Sequence, residues 1–490
     1  MTVETASENL SERIRRLGRE HPEALIIDFE GRRTPWRAVR IRLEVLESAL
    51  REAGVGREDL VGLVMRERPA AVGCLLALLG LDRPVVLFQA LSSDEELKRD
   101  IAKCDLAAVL AEPVDFERAG FVEFLEQVGT GGFVVDENPA AVRTAAAVRR
   151  PAALASSDFA VKVPTSGTTG TPKRHPLSRA ELDALRDSVV VRDPSESHGV
   201  TIASVPLSSI GGFRGLVQTV WRGRPIVLME RFTIDRWTSI IREYRPRRIG
   251  AAPAIVNAIV ERDLPREWFD GVECLFTGSA PLNVDAARRF ADRYGIAVLN
   301  AYGATEFGGT VIAWDPGDWD SWNATKLGSV GRPRPGIELR LVPHESTGDD
   351  DSGILEVRKG DGNWVRTNDI ARIDEDNFVW ILQRADDVII RGGFKVRSSD
   401  VEAALTSHES VHEAIVVGIP HERLGAVPTA MVTLRDGSPA VTGEELRDYS
   451  RGLLSPYKVP VEVRIVAEIP RNAMMKPWRS LIREELQKSR

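Results

Sequence analysis

The chain has 490 residues, too many for one ordinary hydrophobic core, so two or more domains are expected. Hydrophobic residues make up 43% and charged residues 28%, the balance of a water-soluble globular protein. A net charge of −7 excludes the basic surface that nucleic acid or an anionic membrane attracts, and three scattered cysteines, Cys74, Cys104 and Cys274, exclude a disulfide scaffold and fit free thiols in a reducing cytoplasm.

Residues 1–20 mix acids and bases around no apolar centre and read as no secretory signal. Short apolar, β-branched runs predict strands over 24–29, 61–65, 84–88 and 107–111. The apolar run 69–81 is stopped by Asp82 and Arg83 before it could span a bilayer, so it is expected to be a buried helix leading into the strand at 84–88. Further strands are expected over 201–205, 225–229, 248–251, 272–276 and 296–300, alternating with helices over 178–187, 235–243 and 283–294. This alternation is α/β architecture with buried sheets. After about residue 325 the helices thin out, and strands over 338–342, 354–358 and 378–382 follow, separated by Gly, Pro and Asp turns. A compact α+β unit is expected from 388 to the end. The charged break 383–387 separates two domains, 1–383 and 384–490.

An extended run over 159–164 opens into Thr165, Ser166, Gly167, Thr168, Thr169, Gly170, Thr171, Pro172 and Lys173. Glycines let the backbone approach a ligand closely, successive N–H groups make an anion-binding concavity, and the hydroxyls and Lys173 add donors and charge. The segment reads as a polyphosphate cradle. It is not a Walker loop, because Gly167 and Gly170 are too close together and Arg174 follows the lysine. Downstream, Ala301, Tyr302, Gly303, Ala304, Thr305 and Glu306 follow the strand at 296–300. Strand carboxyl ends are where α/β sheets usually bind ligands, and a carboxylate there can hold Mg²⁺ against phosphate oxygens. A capped helix start is the plain alternative at Glu306.

The loop at 165–173 resembles the phosphate-binding signature of the adenylate-forming superfamily, which includes acyl- and aryl-CoA ligases, nonribosomal peptide adenylation domains and beetle luciferases. The superfamily's other motifs follow in the same order over nearly the whole chain. The resemblance implies an acyl-CoA synthetase-like fold: a large N-terminal multi-sheet α/β domain and a small mobile α+β C-terminal domain. It gives Thr305 to phosphate and Glu306 to Mg²⁺, through a match to Tyr-Gly-x-Thr-Glu. Gly278, Ser279 and Ala280, ahead of Pro281, are similar to a Gly-Ala-Ala-Pro segment lining the adenine and acyl sites. Arg366-Thr367-Asn368-Asp369 is similar to Arg-Thr-Gly-Asp, which implies Asp369 on the ribose hydroxyls. Asn368 replaces a glycine there, and asparagine tolerates a left-handed backbone best after glycine. Arg384 is given to ribose or phosphate, and Asp386 to the hinge. Arg391, Gly392, Gly393 and Lys395 fall on the loop flanking the pantetheine channel, where a β-hairpin turn is the plain alternative. Lys476, after Ile469-Pro470-Arg471-Asn472-Ala473, falls on the adenylation lysine.

The chain departs from the pattern in three places. Met475 precedes Lys476 where glycine is usual, and Pro477 follows it. Ser209 stands where many CoA ligases carry histidine or an aromatic residue, and with Gly211 and Gly212 after it this implies a roomier acyl pocket, also lined by Ala280 and Gly303. Arg174-His175 replaces Gly-Val, and Arg174 is expected either on phosphate or in solvent. His408-Glu409-Ser410-Val411-His412 matches a zinc-protease pattern, but it straddles an expected helix-to-strand turn, whereas that chemistry needs one helix.

The resemblance implies an ATP-dependent carboxylic acid–thiol ligase that uses ATP, Mg²⁺ and coenzyme A. No acid occurs between Val205 and Gln218 to pair with a substrate ammonium, so the expected substrate is an apolar, bulky, non-amino acid. The alternatives are an AMP ligase loading a carrier protein, an enzyme running one half-reaction, and a non-catalytic nucleotide-binding protein. No nucleic-acid partner and no membrane span are expected, and a homodimer is left open.

Overall fold

The computed structural model describes residues 8–148, 159–164, 174–192, 194–196, 199–343, 351–392, 394–471 and 476–488. The chain divides into two compact units, Met1–Leu299 with Gly303–Gly309, and Asn300–Tyr302 with Thr310–Arg490.

The first unit is built on a seven-stranded sheet in the order Val142–Ala146, Gly131–Val135, Ala108–Ala111, Val61–Met65, Val85–Gln89, Phe159–Pro164, Arg174–Ser178. The five inner strands run parallel and both edge strands antiparallel. Val61–Met65 and Ala108–Ala111 are buried at every residue, as expected of strands covered on both faces. The helix Pro69–Gly80 is buried on all sides but its first residue, and Pro69 starts it where a missing N–H costs nothing. From Val61–Met65 the chain reaches one neighbour, Val85–Gln89, and then crosses back to the other, Ala108–Ala111. Val61–Met65 is therefore a topological switch point. A four-stranded sheet pairs Thr201–Ile202, Ile226–Leu228, Leu25–Phe29 and Arg32–Pro35, the first three in parallel. One continuous core joins helix Leu10–Glu20, both sheets and helix Ile210–Arg222.

The second unit holds an antiparallel sheet, Ile337–Val342, Ser352–Lys359, Val365–Ile373, Val379–Arg384, each strand paired with the next in the chain. A second sheet runs Phe394–Arg397, Val388–Arg391, Gly425–Leu434, Val411–His421, with Glu462–Ile465 parallel to Gly425–Leu434. Side chains alternate along Val411–His421. Ala414 and Val416 pack with Val401, Leu405 and Leu446, while Ile415, Val417 and Ile419 pack with Ile482 and Leu486. Helices thus cover both faces of this sheet.

Several elements depart from their predicted bounds. The strand expected over 296–300 is Ala297–Ala304, so Tyr302-Gly303-Ala304 is strand rather than loop, and a short 3₁₀ turn, Thr305–Phe307, follows it. The strand expected over 272–276 is Cys274–Gly278, and the one expected over 201–205 is only Thr201–Ile202. Backbone pairing decides these bounds, and residue propensity records it poorly.

Candidate active site

Four predicted site residues, far apart in sequence, meet within the second unit. Asp369 and Arg384 stand directly opposite each other in the ladder between Val365–Ile373 and Val379–Arg384. The Asp369 N–H donates to Thr367 Oγ1 (3.0 Å), and that hydroxyl donates to the Leu355 carbonyl (2.8 Å), which fixes the backbone around the carboxylate. Tyr302 donates its hydroxyl to Asp369 Oδ2 at 2.5 Å. Burial, with the Asp369 carboxylate beside it, pushes the Tyr302 phenol well above its usual range, so it stays a donor. Lys476 lies close enough to feel both Arg384 and Asp369. Burial and the Arg384 charge pull its ammonium pKa down, and Asp369 opposes them. Arg471 and Pro477 pair across the base of the segment carrying Lys476, and the Trp478 N–H donates to the Pro470 carbonyl at 2.8 Å. Pro477 therefore belongs to the closure of this loop, while Asn472, Ala473, Met474 and Met475 lie outside the described residues. Two cations share one carboxylate that already accepts a hydroxyl. Cations gathered at one carboxylate are the kind of groups that a nucleotide phosphate pairs with.

Asn368 needs no left-handed backbone. It lies inside the extended strand Val365–Ile373, and the asparagine with positive φ is Asn377, at 63°. The sequence argument for Asn368 is thus replaced by an ordinary strand position. Asp386 lies in the 3₁₀ turn Ala385–Asp387, which joins the last strand of one sheet to the first of the next.

In the first unit, Thr165, Ser166, Gly167, Thr168, Thr169, Gly170 and Lys173 lie outside the described residues. Arg174, just beyond, neither faces solvent nor waits for phosphate. Its guanidinium forks onto both oxygens of Asp100 at 2.6 Å and lies over the Phe88 ring, 4.5 Å from the centroid. Gly278 ends its strand, Ser279 turns with φ 69°, and Ala280 follows half-buried. Glu306 is exposed in the 3₁₀ turn and makes no hydrogen bond or ion pair with another described residue. Such a free carboxylate fits Mg²⁺, which takes one or two protein oxygens and leaves its other positions to phosphate and water. No cluster of three metal-ligating side chains exists among the described residues.

Ser209 caps the helix Ile210–Arg222, with Oγ accepting the Gly212 N–H at 3.2 Å and donating to the Pro206 carbonyl at 2.6 Å. The two glycines after it differ. A side chain on Gly211 would meet nothing within 4 Å, whereas one on Gly212 would strike the Pro206 carbonyl oxygen at 2.2 Å. Gly211 leaves room; Gly212 is required by the tight approach of the preceding turn.

The loop after Val388–Arg391 is a β-hairpin with Gly392 at φ 57°. Arg391 donates to the Tyr457 and Val459 carbonyls (2.9 and 3.0 Å), so its guanidinium secures this loop. Gly393 and the Lys395 side chain are outside the described residues. The His408–His412 pentapeptide does straddle a turn, since helix Ser398–Thr406 ends before it and strand Val411–His421 begins inside it.

Two features escape sequence reasoning. The segment 205–218 contains no acid, yet one reaches it from the bend after the switch-point strand: Glu67 Oε1 accepts the Leu207 N–H at 2.9 Å, while Oε2 is sealed from solvent with no hydrogen-bond partner among the described residues. Burial pushes this carboxyl up to about 7, so it is no fixed countercharge for an ammonium. The contact spans 140 positions, and no local pattern signals it. The second feature is the carboxyl edge at the switch point. Fully buried Asp115 takes Arg66 at 2.7 and 3.0 Å and Arg118 at 3.2 Å, and Arg68 reaches Glu230 at 2.6 Å and Glu112 at 3.4 Å.

A family model described as AMP-binding enzyme matches residues 14–362, and one for the AMP-binding enzyme C-terminal domain matches 400–476. The chain is similar to a 2-succinylbenzoate–CoA ligase of Geobacillus kaustophilus (strain HTA426), 30% identical over 95% of both chains. It is also similar to the 4-coumarate–CoA ligase-like 5 protein of Oryza sativa subsp. japonica, 30% identical over 83% of this chain and 71% of the relative. Among solved structures, ATP-bound MatB from Rhodopseudomonas palustris shares the fold, with TM-score 0.81 and 22% identity over 98% of this chain and all of that one. The amide bond synthetase McbA from Marinactinospora thermotolerans superposes with TM-score 0.78 and 26% identity over 97% and 99%.

Proposed function

The chain belongs to the AMP-binding enzyme family, and from that premise we propose that it is an acyl-CoA ligase for a non-amino acid with an apolar body. The meeting of Tyr302, Asp369, Arg384 and Lys476 in one unit carries this reading.

A carboxylate oxygen of the acid attacks the ATP α-phosphorus. The bond from that phosphorus to the bridging oxygen breaks, and pyrophosphate leaves with the electron pair. Asp369, steadied by Tyr302 and Thr367, accepts the ribose hydroxyls. Arg384 and Lys476 offset the charge that gathers on the α-phosphate, and they act by position rather than by covalent chemistry. Glu306 would hold Mg²⁺, whose charge neutralises phosphate oxygens when bound. In the second step the CoA sulfur attacks the acyl carbon, the carbon–oxygen bond to AMP breaks, AMP leaves, and the thiol proton passes to solvent. The turn Ala385–Asp387 is the joint about which a small domain, 384–490, exchanges the two steps. The acceptor is CoA rather than a carrier protein, and the compartment is the cytoplasm, in keeping with three free thiols. Among the described residues no helix is long and apolar enough to cross a membrane.

The test is pyrophosphate release across a panel of aryl and alkyl acids, with and without CoA, alongside AMP release from supplied acyl-AMP. CoA-dependent turnover of at least one acid supports the reading. Turnover with a carrier protein only, or one half-reaction without the other, replaces it.

A further inference from the structure

Among the described residues Arg214 is a cation without an ion-pair partner. It lies on the stripe Gly211, Arg214, Gly215, Gln218 of helix Ile210–Arg222, the side left over when Phe213, Leu216, Val217 and Val220 enter the core. It makes no hydrogen bond or ion pair with any described residue. Gly211 and Gly215, on either side of it, face open space: a side chain on either would meet nothing within 4 Å. The guanidinium runs along the turn after Glu306, where an ideal side chain on Gly309 would come within 3.0 Å of Arg214 Nε. Gly308 and Gly309 both have positive φ, 66° and 130°, so this turn is built for glycine and leaves the arginine its place. The acid that acts on it is Glu181, whose Oε2 is already committed to the Ser178 cap at 2.8 and 2.9 Å.

A half-buried guanidinium without an acceptor is costly. Arg174, in the same unit, shows the ordinary solution, a forked carboxylate at 2.6 Å. At Arg214 no described carboxylate forks onto the guanidinium: Glu181 Oε1 and Arg214 Nη1 approach the same ideal side-chain position on Gly308, at 3.5 and 3.7 Å, without forming an ion pair, and the helix face beside Arg214 is open at Gly211 and Gly215. The planar fork fits a carboxylate bidentately. We propose that Arg214 is a specificity-determining residue that binds a second carboxylate on the acid, so that the ligase takes dicarboxylic acids with an apolar spacer between their carboxylates. The inference rests on the reading that the 206–215 segment walls the acyl pocket.

The experiment compares α,ω-dicarboxylic acids and homophthalate with their monomethyl esters, which keep one reactive carboxylate and lose the second charge. Pyrophosphate release is measured with ATP, Mg²⁺ and CoA, and thermal protection by each acid is measured in the presence of ATP. In the wild type at least one diacid is expected to exceed its ester in kcat/KM by about 10²-fold or more, below the roughly 10⁴–10⁵ of a fully buried polar site because Arg214 is only half-buried. Arg214→Gln should collapse that ratio, and Arg214→Lys, which keeps the charge but loses the fork, should fall between. An ester turned over as well as every diacid overturns the inference. So does an equal loss for diacid and ester in Arg214→Gln, which would make the residue a brace for the 305–309 turn. A rise in KM for ATP with every acid would make it a phosphate contact and also overturns it. If no diacid protects or turns over while monoacids do, the inference fails and the ligase reading stands. CoA-dependent turnover of no acid at all defeats the ligase reading itself.

Discussion

The switch-point edge of the seven-stranded sheet and the Asp369–Arg384 ladder both gather charge at strand ends, and they balance it differently. At the switch point Arg66, Arg68 and Arg118 are answered by Asp115, Glu112 and Glu230. At the ladder Arg384 and Lys476 share Asp369, one of whose oxygens already takes the Tyr302 hydroxyl. The first arrangement is closed and holds the fold. The second brings two cations to bear on one carboxylate that already takes a hydroxyl. Strand ends at a switch point are the usual place to look for a ligand; here the arginines at that edge are already met by carboxylates.

Three substitutions sharpen that contrast. Asp115→Ala strands two arginines beside a fully buried position, and breaking such a pair costs about 3–5 kcal/mol. Denaturant unfolding should record a loss of that order, with kcat/KM per folded molecule close to wild type. A loss under about 0.5 kcal/mol would mean the edge is not closed by these ions.

Glu67→Gln keeps an acceptor for the Leu207 N–H and removes the carboxyl that burial pushes up to about 7. In the unfolded chain this group releases its proton near its ordinary value, and in the fold only near 7. The folded state therefore binds more protons between those values, and stability falls as pH rises through that window. At pH 8 the variant should be more stable by about 1–3 kcal/mol, and the two proteins should converge towards pH 5. A constant difference across pH contradicts the assignment.

Tyr302→Phe leaves Asp369 without its phenolic donor. The expected cost is about 1–2 kcal/mol of stability, with a rise of less than about 10-fold in KM for ATP as the carboxylate loses its orientation. A fall in KM would show instead that the hydroxyl competes with the nucleotide.

Most of the fold was legible in the sequence because its strands are short, apolar and separated by clear turns. Val61–Met65 matches its expected bounds, and Pro69–Gly80 falls one residue short of them. Asp369 and Arg384, named from the resemblance, stand opposite each other because neighbouring antiparallel strands bring them into register. The site was obscure where a partner arrives from far away. Arg174 read as a phosphate contact or a solvated charge, and only the fold brings it to Asp100, 74 positions earlier. Glu67 likewise reaches the turn before helix Ile210–Arg222 from the bend after strand Val61–Met65. Asn368 was explained through backbone strain it does not carry, because strand pairing, which sequence spacing does not display, holds it extended.

The central claim is that Lys476 serves adenylation from within the Asp369–Arg384 cluster. The direct measurement is to follow both half-reactions in wild type and Lys476→Ala: pyrophosphate release from acid and ATP, and AMP release from supplied acyl-AMP and CoA. By analogy with removing one oxyanion donor, the first rate should fall roughly 10²–10³-fold, while transfer from acyl-AMP persists. Equal loss of both steps, or wild-type pyrophosphate release by the variant, would contradict the account.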